Sequence, residues 1–347
     1  MVIGNWGQHC QRATGKKDPS TINNWNMKIP HLSVFTIILF PSHNKITTHF
    51  GMASEEPPSH PRLSKRNKII LLGDSITQLS FSASLSGWGA HISDIYQRRC
   101  DVYNRGMSGY NTDWFLKYIN SPTGKYDVFD SMTDPDDSVV KLVTIFFGAN
   151  DASCENLNPR HHVPTDRFES NLKEIIRLCR LHYGEKVRII LITPPPVHHD
   201  SRLRFQIEKF GDKATGELER SLDLSQKYAQ VVEKVAKEMN LPCLNLWSMM
   251  QEAMPGEDEP WGIFFNDGLH FSKEGNTFVG EKIVDLIQNH FPEIAVTPCP
   301  YTNYCGNSSS KGGSALGSEY GIGPWHDEID HFKSDVIFEQ TCSSSMK

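Results

Sequence analysis

The chain has 347 residues, 38% of them hydrophobic and 22% charged, with a formal net charge of −6. That balance excludes a wholly disordered or fibrous chain and offers no strongly basic surface for nucleic acid. The longest apolar run, SVFTIILF over 33–40, falls short of the roughly 20 residues a membrane span needs.

Residues 1–65 show no sustained helical or strand period and no signal-peptide pattern. They are expected to be a disordered or non-native extension, with Met52 as an alternative start of the working protein. Alternation of short apolar runs and amphipathic stretches begins at Arg66. The run IILL over 69–72, ending at Gly73, reads as a buried parallel strand. A helix is expected over 89–99 and a second strand over 101–104. VVKLVTIFF over 139–147 is the third strand. Residues 167–182 place Phe168, Leu172, Ile175 and Ile176 on one helical face. RIILIT over 188–193 is the fourth strand, stopped by three prolines. A helix over 222–239, a fifth strand over 242–246 and a helix over 273–290 follow. Strands alternating with helices predict an α/β fold, a parallel five-stranded sheet with helices on both faces. The folded domain is set at 66–292. Residues 293–347, with the Gly/Ser-rich GNSSSKGGSALGS, are expected to be a flexible tail.

In such a sheet, ligands bind beyond the carboxyl ends of the strands. Three of the four chemically suggestive segments follow strands directly. Gly73-Asp74-Ser75-Ile76-Thr77 puts a serine hydroxyl and its own N–H in a turn that opens a helix, where an oxyanion can be held; alone it reads as a plain helix cap. The second segment, NRGMSGYNT over 104–112, has two glycines that free backbone N–H groups, and alone reads as an ordinary turn. The third, Gly148-Ala149-Asn150-Asp151, offers an amide donor for developing negative charge, or a cap. In Asp267-Gly268-Leu269-His270 the carboxylate is spaced to fold back onto Nδ1, leaving Nε2 as a base. Together they supply a nucleophile, oxyanion donors and an Asp–His pair, without a G-x-S-x-G elbow.

GDSIT, NRGMSGYNT, GAND and DGLH, in that order between about 68 and 290, resemble the four sequence blocks of the SGNH (GDSL-type) hydrolases. The surrounding SGWGAHISD, VTIFFGANDAS, ILITPPPV and DGLHFSKEGN are similar to the isoamyl acetate-hydrolysing esterase group. The resemblance implies a flavodoxin-like three-layer α/β/α fold and hydrolysis of short-acyl carboxylic esters. It implies Ser75 as nucleophile, Asp267 and His270 as the other triad members, and an oxyanion hole from the Ser75 and Gly109 N–H groups and the Asn150 side chain. No cofactor or metal is expected, and the expected partner is a small-molecule ester. A thioesterase, a sugar-ester deacetylase and a non-catalytic module on the same fold remain alternatives.

The eight cysteines are scattered and lack C-x-x-C spacing, so they read as reduced thiols of a cytoplasmic protein. The pairs His161-His162 and His198-His199 are not expected as metal ligands, since adjacent histidines on a strand would point to opposite faces and no third ligand lies at metal-like spacing. Trp88, Trp114, Trp247 and Trp261 are expected in the core. Trp261 and Phe264-Phe265 are also candidates for an acyl or alcohol pocket.

Overall fold

The structure is a computed structural model. It describes residues 66–133, 139–256 and 258–296; the expected extension over 1–65 and the tail beyond 296 lie outside the described residues.

β1 (Asn67–Gly73) is buried at every position. A strand apolar on both faces belongs inside a parallel sheet, and β1 is flanked there by β2 (Cys100–Gly106) and β3 (Val140–Phe146). β4 (Arg188–Ile192) and β5 (Cys243–Leu244) continue beyond β3. All pairs are parallel and the order is β2-β1-β3-β4-β5. This is the flavodoxin-like order, with its reversal between β1 and β3.

Helices fill every connection. α1 (Ser75–Gln78) and α2 (Trp88–Ile95) link β1 to β2, and α3 (Thr112–Ile119) and α4 (Pro122–Lys125) lead on toward β3. α5 (Thr165–Tyr183) precedes β4, and α6 (His199–Phe210) and α7 (Leu222–Glu238) precede β5. α8 (Leu246–Ala253) and α9 (Lys273–His290) follow it. β1 divides the core by alternation. Ile69 and Leu71 pack with Ile92 of α2 and Val279 and Ile283 of α9. Ile70 and Leu72 pack with Ile175 of α5 and Tyr228 and Val232 of α7. The result is the expected three-layer α/β/α arrangement. Side-chain caps start several helices: Ser221 accepts from Leu224 N–H, and Ser272 from Gly275 N–H.

The differences from expectation have local causes. α2 stops at Ile95, because the chain turns into β2 with Arg98 at φ +64°. β5 keeps only two residues of its expected run. α6 was not anticipated, since it buries only Ser201 and Arg202 and shows no apolar stripe. Neither histidine pair lies on a strand: His161 and His162 are in a turn, and His198 caps α6 ahead of His199. The described chain runs on past the expected boundary at Pro292. Ile294 and Val296 lie in the core, and Tyr96 Oη donates to Ile294 O at 2.8 Å.

Candidate active site

Gly73 pairs with both Gly106 and Phe146, so β1, β2 and β3 end level with one another. The three turns that leave them therefore meet at the carboxyl edge of the sheet, at the reversal of strand order. That crevice is where open α/β sheets take their ligands.

After β1, Asp74 Oδ1 accepts the Ile76 N–H at 2.9 Å and caps α1. Ser75 is thus the first residue of the helix, not its cap. After β2, the turn docks on α1. Asn104 Nδ2 donates to Thr77 O at 2.9 Å, and the Ser108 N–H donates to Gln78 Oε1 at 2.7 Å. Gly106 is required by this contact, since a Cβ there would stand 2.1 Å from Gln78 N. Gly109 follows at φ +78°, a conformation that favours glycine. After β3, Asn150 Nδ2 donates to Tyr110 O at 2.9 Å, tying the third turn to the second. An amide NH₂ carries two hydrogens, so one remains to offer a ligand.

The fourth segment comes from the opposite side. Phe265 and Phe271 form an antiparallel bridge that closes the loop around Asp267 and His270. Asp267 Oδ1 accepts the N–H groups of Leu269 at 3.0 Å and His270 at 2.7 Å. Its Oδ2 lies 2.8 Å from His270 Nδ1, and His270 Nε2 lies 2.9 Å from Ser75 Oγ. Burial pushes the Asp267 carboxyl up, but the hydrogen bonds and charge of His270 outweigh it and hold the carboxyl at about 2. An ionised Asp267 can only accept a hydrogen bond from Nδ1–H, so Nε2 is the nitrogen that accepts from Ser75. A hydroxyl, an imidazole and a carboxylate in one hydrogen-bonded line can generate a nucleophile at neutral pH.

The structure thus brings Ser75, Asp267 and His270 into direct contact and links Asn150 to the Gly109 turn. Three charged residues the sequence did not signal lie behind them. Arg202 Nη1 donates to Asp267 Oδ2 at 3.3 Å, and Arg220 Nη2 to Asn150 Oδ1 at 2.8 Å. Glu219 accepts from both arginines. In sequence, Glu219-Arg220 reads as a solvated loop before α7, and no periodicity marks it. Of the neighbouring aromatics, Trp261, Phe264 and Phe265 all belong to the core. Phe265 lines a cavity of about 610 Å³ beside Asn266, but that cavity includes neither Ser75 nor His270. Trp114 is partly exposed and meets the His161 ring at 5.2 Å on the Gly109 side. Among the described residues no group of His, Cys, Asp and Glu is arranged to hold a metal ion.

The sequence pattern of the GDSL-like lipase/acylhydrolase family matches residues 69–283, which contain every segment of this site. The chain belongs to that family. An isoamyl acetate-hydrolyzing esterase 1 homolog of Bos taurus is 38% identical over 238 residues, 69% of this chain and 86% of the relative. A GDSL esterase/lipase of Arabidopsis thaliana is 37% identical over 221 residues, 63% of this chain and 84% of the relative. A crystallised lipase/acylhydrolase from Enterococcus faecalis is similar at 27% identity and a TM-score of 0.47, covering 67% of this chain and 98% of that one. As a GDSL-like lipase/acylhydrolase, the chain is a carboxylic ester hydrolase. No helix among its described residues is long and apolar enough to cross a membrane.

Proposed function

We propose that the protein is a serine esterase acting on small, short-acyl carboxylic esters of the isoamyl acetate kind, with Ser75, His270 and Asp267 as its triad. The observation that carries the reading is the line from Ser75 Oγ through the His270 ring to Asp267 Oδ2. His270 Nε2 takes the Ser75 proton as Oγ attacks the ester carbonyl. Asp267 keeps the imidazole oriented and stabilises the imidazolium that forms. The oxyanion is held by the Ser75 and Gly109 N–H groups and by Asn150 Nδ2. His270 then protonates the departing alkoxide, which leaves as the alcohol. A water molecule, deprotonated by His270, attacks the acyl-enzyme to release the acid and restore Ser75. No metal enters these steps. The short-acyl preference draws on the name of the Bos taurus relative. A cytoplasmic site of action is part of the proposal and draws on the cysteines: Cys100, Cys154, Cys179 and Cys243 are free thiols.

The test is labelling of the full chain with a fluorophosphonate, together with hydrolysis of an ester panel. Labelling that is lost in Ser75→Ala, with turnover fastest on acetate and propionate esters, is expected. Absence of labelling would make the domain a non-catalytic module. A preference for thioesters or acetylated sugars would overturn the substrate class alone.

A further inference from the structure

We propose that Glu219 is a positioning residue for ester hydrolysis: its carboxylate holds Arg202 against Asp267 and Arg220 against Asn150, so one charge behind the site sets both the His270 carboxylate and the oxyanion donor. This rests on the roles assigned in the preceding subsection and extends them to a residue that does not touch substrate.

The geometry is a continuous path. Arg202 Nη1 reaches Asp267 Oδ2, the same oxygen that faces His270 Nδ1. Arg202 Nη2 and Arg220 Nη1 both donate to Glu219 Oε1, the latter at 2.7 Å. Arg220 then grips the turn after β3 twice, through Nη2 to Asn150 Oδ1 and Nε to Ala149 O, each at 2.8 Å. Asn150 Oδ1 engaged by Arg220 fixes the amide's orientation, so Nδ2 faces Tyr110 O and the oxyanion position. The backbone pins the bridge in turn, because the Cys154 N–H donates to Glu219 O at 2.7 Å.

Charge makes the arrangement depend on Glu219. Arg202 and Arg220 are buried, at 8% and 7% exposure, and two guanidinium groups sharing one side of a site repel each other. Burial also weakens the charged form of Arg220, which Glu219 supports. With the carboxylate in place, Arg202 is already partly neutralised, and it leaves most of Asp267 Oδ2 to His270. Without it, Arg202 would bear on Asp267 alone and Arg220 would lose its salt-bridge partner beside Asn150, and breaking a buried pair costs far more than the pair contributes. The other charged groups around this path are Asp74, which interacts with His270 and Arg220, and His161 with Arg160 on the Gly109 side.

The signs of the charges give a test that mere structural support would not meet. In the full chain, Glu219→Gln is expected to lower kcat on a short-chain aryl ester about 10-fold with KM within about twofold, the pattern of a loss felt in the transition state. Losing a negative charge behind the Asp–His pair disfavours the imidazolium, so the acid limb of the pH–rate profile moves down by about half a unit. Arg202→Gln removes a positive charge, and its acid limb moves up. Glu219→Asp keeps the charge and restores the parent pH profile. Parent kcat and profile in Glu219→Gln, or shifts of the same sign in Glu219→Gln and Arg202→Gln, would overturn the inference. If Glu219→Gln fails to fold, Arg202→Gln decides: no upward shift overturns it. Ser75→Ala is run beside these variants. If Ser75→Ala stays active, the underlying site assignment fails; if it is inactive, a parental Glu219→Gln sinks the positioning role alone.

Discussion

Asn150 Nδ2 donates to the backbone carbonyl of Tyr110 at 2.9 Å, across forty residues of sequence, and so joins the turn after β3 to the turn after β2. The bond is more than a strut. It consumes one amide hydrogen and leaves the other to offer a ligand, while Arg220 holds the amide oxygen. Asn150→Ala should therefore lower kcat by about 10²- to 10³-fold with little change in KM, the size expected for one oxyanion donor. Steady-state kinetics on a short aryl ester measure this, and an effect confined to KM would make Asn150 a ground-state binding residue.

Ser75→Ala and His270→Ala should each nearly abolish hydrolysis while the far-UV circular dichroism is kept. Both side chains sit at the sheet rim and neither belongs to the two core clusters. Asp267→Asn should lower kcat by about 10³- to 10⁴-fold, because an amide can donate to Nδ1 and trap the wrong imidazole tautomer. More than a few per cent of activity in Ser75→Ala or His270→Ala would reject these roles.

The sheet and the candidate site were legible for a shared reason. A strand such as IILL over 69–72 is buried on both faces, so its composition alone reports its place, and the turn that follows must then lie at the ligand-binding edge. Asp267 and His270 were readable because three residues of spacing suffice to close the bond between them. The supporting charges were not. Arg202 sits on α6, whose burial is polar and lacks period, and Glu219 and Arg220 sit in a loop. The site residues the two arginines hold, Asp267 and Asn150, are 65 and 70 residues away from them, and only the folded chain brings them together. Proximity of the aromatic run at Trp261 to Asp267 in sequence suggested a pocket; its rings are core residues, and Phe265 also lines a cavity that excludes Ser75 and His270.

Asp151 lends itself to a stability measurement. Its Oδ1 accepts from the Thr112 N–H and hydroxyl, whereas its Oδ2 is buried with no hydrogen-bond partner among the described residues. Burial pushes the carboxyl up to about 7, and the hydrogen bonds from Thr112 offset only part of this. The folded protein then keeps a proton that the unfolded chain releases near pH 4. The folded state binds more protons between about pH 4 and 7, so this group's contribution to stability is full below that window and is lost as pH rises through it. One proton gives a slope of at most about 1.4 kcal/mol per pH unit. Asp151→Asn should remove that slope, whatever its effect on absolute stability. Urea unfolding of both proteins from pH 4.5 to 7.5 checks it, and parallel curves would refute the assignment.

The last expectation concerns the limits of the folding unit. Every residue of the two core clusters lies between Ile69 and Val296, and so do all four segments of the site. The C-terminal edge is set by real contacts: Ile294 and Val296 are buried, Tyr96 Oη holds Ile294 O, and Arg188 pairs with Glu293. A cut at Pro292 would remove all of these, leave the Tyr96 hydroxyl without its acceptor, and uncover apolar surface beside α9. Losing two buried aliphatic side chains costs about 3 kcal/mol or more, enough to lower the melting temperature by several degrees. A chain running over 52–297 keeps both core clusters whole and should fold, with full specific activity toward a short aryl ester and a melting temperature within a few degrees of the parent. The chain over 52–292 should melt clearly lower. Thermal unfolding and activity of the two trimmed chains beside the full one measure both claims. If the 52–297 chain is insoluble or melts well below the parent, segments outside the two clusters contribute to the fold. If the two trimmed chains melt alike, the burial of Ile294 and Val296 does not set the boundary.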